Sequence, residues 1–203
     1  MNRKVKIAVF VSGGGTNLQA LIDAQKSGVI KNGEISLVVS NNASAYALER
    51  AKINGIKSVT VLKKDSGSID AFEQKLVEIL ENENIELIVL AGFMSILSEN
   101  FVKKYPKKII NVHPSLIPSF CGKGFYGLKV HECALSKGVK VTGATVHFVN
   151  EIPDGGEIIM QKAVNILDGD TPETLQKRVM KLAEWKILPL SVEKICKDVI
   201  EKE

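Results

Sequence analysis

The run Val5–Val11 is apolar apart from Lys6 and leads directly into Ser12-Gly13-Gly14-Gly15-Thr16-Asn17. Seven residues are too few for a membrane span and suit a buried strand. Leu18, Leu21 and Ile22 then recur at helical spacing, which predicts a helix over Asn17–Ser27. A strand, a glycine loop and a helix make the opening of a βαβ unit.

The alternation continues along the chain. Strands are predicted at Ile35–Val39, Val59–Leu62, Leu87–Leu90 and Ile109–Val112. Helices are predicted at Tyr46–Asn54, Ile69–Asn82 and Ile96–Lys104. A glycine-rich segment, Pro118–Gly127, precedes a helix over Leu128–Lys137. Val141–Val149 and Glu157–Val164 flank Pro153-Asp154-Gly155-Gly156 and suit an antiparallel pair. Thr171-Pro172-Glu173-Thr174 caps a last helix reaching about Trp185, and Pro189 is expected to break or kink the chain beyond it. The fold class is therefore α/β: a doubly wound, mostly parallel Rossmann-like sheet with an antiparallel edge. The 203 residues suit a single domain.

Composition narrows the functional classes. A net charge of +4 is too mild to argue for nucleic acid and fits a small anionic substrate. Cys121, Cys133 and Cys196 are scattered, with no CxxC pair, which argues for a reducing compartment and against a zinc site. The first residues carry no secretion signal, so the chain is expected in the cytoplasm, without metal, nucleic acid or membrane.

Asn111-Val112-His113-Pro114-Ser115 carries the chemistry. Residues two apart on a strand project to one side, so Asn111 and His113 share a small volume. Pro114 ends the ladder there. An amide donor beside an imidazole suits oxyanion stabilisation and proton movement. Asp154, on a glycine turn, supplies a carboxylate to orient or charge the imidazole. His147 lies inside an alternating strand and reads as structural or supporting, and His131 on a helix among polar residues reads as exposed. Lys103, Lys104, Lys107 and Lys108 read as a solvated face, or more sharply as a weak steering patch for anions.

The glycine loop suits an anion, because a helix N-terminus offers free N–H groups and a positive dipole end. It is not a dinucleotide fingerprint: Leu18 stands where the third glycine belongs, and Ser40-Asn41-Asn42 offers no acid after the second strand. No GK[ST] occurs, so a monophosphate is favoured. A β-branched side chain at Gly15 is expected to crowd that anion.

Ser12–Leu18, Ala91-Gly-Phe-Met94, Asn111–Leu116, Thr145–Val149 and Asp154-Gly-Gly156 stand in the order seen in the folate-dependent formyltransferases. The chain resembles the phosphoribosylglycinamide formyltransferases of that superfamily along nearly its whole length. Its size is expected to leave no room for the extra domains of the methionyl-tRNA formyltransferases or the formyltetrahydrofolate deformylases.

The resemblance implies transfer of a formyl group from the co-substrate 10-formyltetrahydrofolate to the amine of 5-phosphoribosylglycinamide, in purine biosynthesis. It implies catalytic roles for Asn111, His113 and Asp154, with Asp154 favouring the imidazolium. It assigns Gly15, Thr16, Asn17 and Glu184 to the substrate phosphate and ribose. It assigns Met94, Ser95, Ile96, Leu97, Asn150, Glu151, Ile152, Pro153 and Asp154 to folate. Residues 1–100 would then be the ribonucleotide half and residues 101–203 the catalytic and folate half. Two departures stand out: Ile69 occupies a position where relatives often carry arginine, and Phe120-Cys121-Gly122 replaces their Phe-Pro-Gly. The expected assembly is a monomer or homodimer. Two alternatives remain: a formyltetrahydrofolate hydrolase, which needs no phosphate loop, and a non-catalytic phosphate- or folate-binding module, which has no need for the three polar residues together.

Overall fold

The computed structural model describes residues 3–202. Seven strands form one sheet: β1 Val5–Val11, β2 Gly33–Ser40, β3 Lys57–Thr60, β4 Leu87–Leu90, β5 Ile109–His113, β6 Val141–Phe148 and β7 Ile158–Asn165. Their spatial order is β3-β2-β1-β4-β5-β6-β7. The first five are parallel to one another. β6 and β7 run antiparallel and close the edge.

Helices α1 Thr16–Lys26, α2 Tyr46–Ile53, α3 Ile69–Asn82, α4 Glu99–Lys104, α5 Leu128–Ser136, α6 Pro172–Val179 and α7 Trp185–Glu201 cover the two faces. Strand alternation divides the core between them. Val5, Ile7, Val9 and Val11 of β1 pack with Leu18, Leu21, Leu175 and Leu188 on one side. Ala8 and Phe10 pack with Phe72, Leu76 and Phe101 on the other. β1 is thus buried on both faces, which is why its sequence is apolar almost throughout.

Among the boundaries that differ from expectation, three have a clear physical cause. β3 sits two residues earlier than the apolar run suggests, because parallel pairing to Leu37–Ser40 of β2 sets its register. α4 starts at Glu99, where the Ser98 side chain accepts from the Phe101 N–H and supplies a cap that Ile96 lacks. Pro189 breaks nothing. It is the fifth residue of α7, which continues to Glu201. Its missing N–H would have bonded only the Trp185 carbonyl. Upstream, one π-helical turn, Met180–Glu184, joins α6 to α7. The predicted cap at Thr171 is present as a reciprocal box with Thr174.

The strand order reverses between β1 and β4. In doubly wound sheets the crevice outside the strand ends at such a point receives the ligand. The loops there are stitched together: the Met94 N–H donates to Ser12 Oγ at 2.8 Å, and Asn41 Nδ2 donates to Ser95 Oγ at 2.8 Å.

Candidate active site

β5 delivers Asn111 and His113 beside this crevice, opposite His147 and Thr145 of β6. Ile110 and Val112 pack on the α1 and α7 side of the sheet, so the alternate residues face the other way. Asn111 Nδ2 lies 3.2 Å from His147 Nε2. His147 Nδ1 lies 2.8 Å from the Phe148 carbonyl, which can only accept, so the proton sits on Nδ1 and Nε2 accepts from the amide. One amide hydrogen of Asn111 is thereby fixed and the second is left to another acceptor.

His113 is buried, and its Nε2–H donates to the Phe120 carbonyl at 2.8 Å. Its Nδ1 faces Asp154 Oδ2 at 3.5 Å. Asp154 Oδ1 lies at the same distance from His147 Nε2. That separation is longer than Asn111 to His147, so the amide is the partner of Nε2. The Gly122 N–H donates to Asp154 Oδ2 at 2.8 Å. Asp154 holds a left-handed backbone, φ 57°, uncommon for a residue with a side chain. Asn111, His113 and Asp154 are therefore brought together.

The electrostatics depart from expectation at His113. Burial lowers its imidazole below the usual range and outweighs the attraction of Asp154, so the neutral form is favoured overall. Burial pushes the Asp154 carboxyl up, but its close polar neighbours, the Gly122 N–H among them, hold it below the usual carboxylate range.

The loop after β5 is fastened at several points. Thr145 Oγ1 donates to the Ser115 carbonyl at 2.7 Å and accepts from the Ile117 N–H at 3.1 Å. Ser115 Oγ donates to the Ser119 carbonyl at 2.6 Å. Gln161 Nε2 reaches both the Ile117 carbonyl and Thr145 Oγ1 at 3.0 Å. The loop thus presents two backbone groups, the Phe120 carbonyl and the Gly122 N–H, to the polar cluster. Both are invisible in the sequence, since main-chain groups leave no residue signature.

On the far side of the crevice, Asn17 in the first turn of α1 donates its Nδ2–H to Glu184 Oε2 at 2.7 Å. Glu184 projects from the π turn into the interior, and burial pushes its carboxyl up to about 7 against the pull of Asn17. Asn17 Oδ1 is buried without a partner among the described residues. Gly15 has φ 70°, and a Cβ there would lie 2.6 Å from Ala47 Cβ. A side chain at Gly15 would therefore strike α2 before it met an anion, which corrects the expected mode of crowding.

Met94, Ile96 and Ile152 are 56%, 75% and 59% exposed, with Ser95, Leu97 and Asn150 half-buried and Glu151 and Pro153 exposed. Exposed apolar side chains on the Met94–Leu97 and Asn150–Asp154 segments offer surface to a flat apolar ligand. His131, expected on the surface, is 0% exposed on α5. Neither ring nitrogen has a partner among the described residues. Burial first, and then His113, lower its imidazole to about 4. The basic cluster is partly neutralised: Lys103 pairs with Glu99, Lys104 with Glu81 and Lys107 with Glu157. Among the described residues no group of three or more His, Cys, Asp or Glu side chains is placed to hold a metal ion. Among the same residues no helix is long and apolar enough to cross a membrane.

The family profile described as formyl transferase matches residues 5–192. The chain belongs to the formyl transferase family. Among members of that family, the chloroplastic phosphoribosylglycinamide formyltransferase of Arabidopsis thaliana is 38% identical over 98% of this chain and 68% of its own length. The trifunctional purine biosynthetic protein adenosine-3 of Gallus gallus is 46% identical over 98% of this chain, which spans only 19% of that protein. The crystal structure of glycinamide ribonucleotide transformylase 1 from Symbiobacterium toebii superposes with a TM-score of 0.90 at 38% identity, covering 98% of this chain and 90% of that one. The seven-stranded formyl transferase sheet with its antiparallel edge is thus shared with solved members.

Proposed function

We propose that this chain transfers the formyl group of 10-formyltetrahydrofolate to the amine of 5-phosphoribosylglycinamide, giving formylglycinamide ribonucleotide and tetrahydrofolate in purine biosynthesis. The observation that carries this reading is the convergence of Asn111, His113 and Asp154 beside a glycine loop, in a chain similar over 98% of its length to proteins named for that reaction.

The chemistry rests on the geometry. The amine attacks the formyl carbon, a C–N bond forms, and the carbonyl pair moves onto oxygen. The Asn111 N–H not held by His147 donates to that oxyanion. The attacking nitrogen sheds a proton, and N10 of the folate gains one as its bond to carbon breaks. His113 is the carrier, and the atom that exchanges the proton is Nδ1, since Nε2 is committed to the Phe120 carbonyl. Asp154 stabilises the imidazolium while it exists. Gly15, Thr16, Asn17 and Glu184 hold the phosphate and ribose. Met94, Ser95, Ile96 and Leu97, with Asn150 to Asp154, hold the folate. The first hundred residues then serve mainly the ribonucleotide and the rest the folate and the chemistry. We place this activity in the cytoplasm, in a monomer or homodimer.

Incubation with 10-formyltetrahydrofolate, with and without the ribonucleotide, tests this reading. Tetrahydrofolate should form only with the acceptor, and Asn111→Ala should slow it about 10²–10³-fold with unchanged circular dichroism. Formate release indifferent to the acceptor would replace this reading with a hydrolase.

A further inference from the structure

The geometry points to Arg50 as a positioning residue that sets the glycine loop to receive the phosphate of the acceptor. This rests on the acceptor reading above and deepens it, because Arg50 lies on α2, outside the residues assigned to substrate.

Two contacts from α2 fix the loop. The Ala47 N–H donates to the Gly13 carbonyl at 3.1 Å. Arg50 Nε donates to the Gly14 carbonyl at 2.8 Å. A trans peptide holds its C=O and N–H on opposite sides. With the Gly13 and Gly14 carbonyls drawn toward α2, the N–H groups of Gly14 and Gly15 must face away from it. The Gly15 carbonyl accepts from the Gln19 N–H at 2.9 Å, so the Thr16 N–H leaves the free end of α1. Among the described residues, the N–H groups of Gly14, Gly15, Thr16 and Asn17 have no hydrogen-bond acceptor. Consecutive donors therefore stand at one helix start, and successive N–H groups of this kind bind anions.

Gly15 is the N-cap of α1 in a left-handed conformation, so the Gly14 carbonyl lies outside the helix ladder and Arg50 supplies its partner. The guanidinium is itself held. One Nη donates to Gln19 Oε1 at 3.0 Å, and Cζ stands 5.1 Å from the ring centre of Tyr46. A lysine keeps the charge but has no planar fork to reach Gly14 and Gln19 together.

The test compares Arg50→Ala, Arg50→Lys and Gln19→Ala with the native protein, using the phosphorylated acceptor, its dephosphorylated riboside, and inorganic phosphate as a competing ion. Misdirecting one donor to a charged group loses about tenfold in affinity or more. Arg50→Ala and Arg50→Lys should both raise KM for the phosphorylated acceptor and Ki for phosphate about tenfold. Turnover at saturating acceptor, KM for the folate and the thermal midpoint should stay near native, and Gln19→Ala should give a smaller effect of the same kind. Full rescue by Arg50→Lys would mean that charge alone matters and would overturn the positioning role. An unchanged KM in Arg50→Ala would overturn it as well. Failure of the acceptor reading looks different: the native protein would then not distinguish the phosphorylated acceptor from its riboside.

Discussion

Asp154 Oδ2 and His113 Nδ1 face each other across 3.5 Å, beyond the 2.7–2.9 Å usual for a charge-assisted hydrogen bond. The gap suits a base that is neutral at rest. Burial favours the unprotonated form of His113, and in the proposed transfer the carboxylate acts when a proton arrives.

Asp154→Asn tests this. The amide oxygen still accepts the Gly122 N–H, so the loop should stay in place. Turnover should fall about 10²–10⁴-fold. Asp154 raises the His113 imidazole, so its loss should move the acid limb of the turnover profile to lower pH. A limb that stays put or moves up would refute the role given to His113.

Gly14 and Gly15 should behave differently. A Cβ at Gly15 meets Ala47 and needs φ 70°, so Gly15→Val should lower the thermal midpoint and weaken both ligands together. A Cβ at Gly14 meets nothing within 4 Å. Gly14→Ala should therefore change stability by only about 0.5 kcal/mol, with any loss of binding confined to the phosphorylated acceptor. Differential scanning fluorimetry and titration with each ligand read the two effects.

His131 should make the protein sensitive to acid. The unfolded imidazole protonates near its ordinary 6.5 and the folded one only at about 4. Between these values the unfolded chain binds more protons, so stability falls as pH drops through that window. The loss is complete below about pH 4 and amounts to about 3 kcal/mol. In His131→Phe, the difference in urea-unfolding free energy between pH 7.5 and pH 4.5 should shrink by an amount of that order.

The strands of the parallel half are legible in the chain because β1 and β4 are buried on both faces and their residues are almost all apolar. Asn111 and His113 can be placed together because strand geometry fixes residues two apart. His131 misleads because its neighbours in sequence, Lys129 and Glu132, are polar, while the surface it packs on is set by how α5 docks. Arg50 carries no signal because it acts through a carbonyl thirty-six residues away. Pro189 suggests a break by its local effect, whereas the π turn before it and the packing of Ile187, Leu188 and Val192 decide the outcome.

That π turn has a consequence for the angular phase of the chain's last helix. Leu175 and Val179 set the buried stripe of α6, and Leu188, Val192 and Ile195 set that of α7. At about 100° per residue, these two stripes would lie on different sides of one regular cylinder. The wide turn takes up part of the difference, about 100°, by adding about one residue to the circuit. Removing a single residue between Met180 and Glu184 would restore ordinary pitch and leave the seventeen residues of α7 seated on the sheet, so the change would fall within the turn that carries Glu184. The extra residue and the inward aim of Glu184 thus belong to one widened turn.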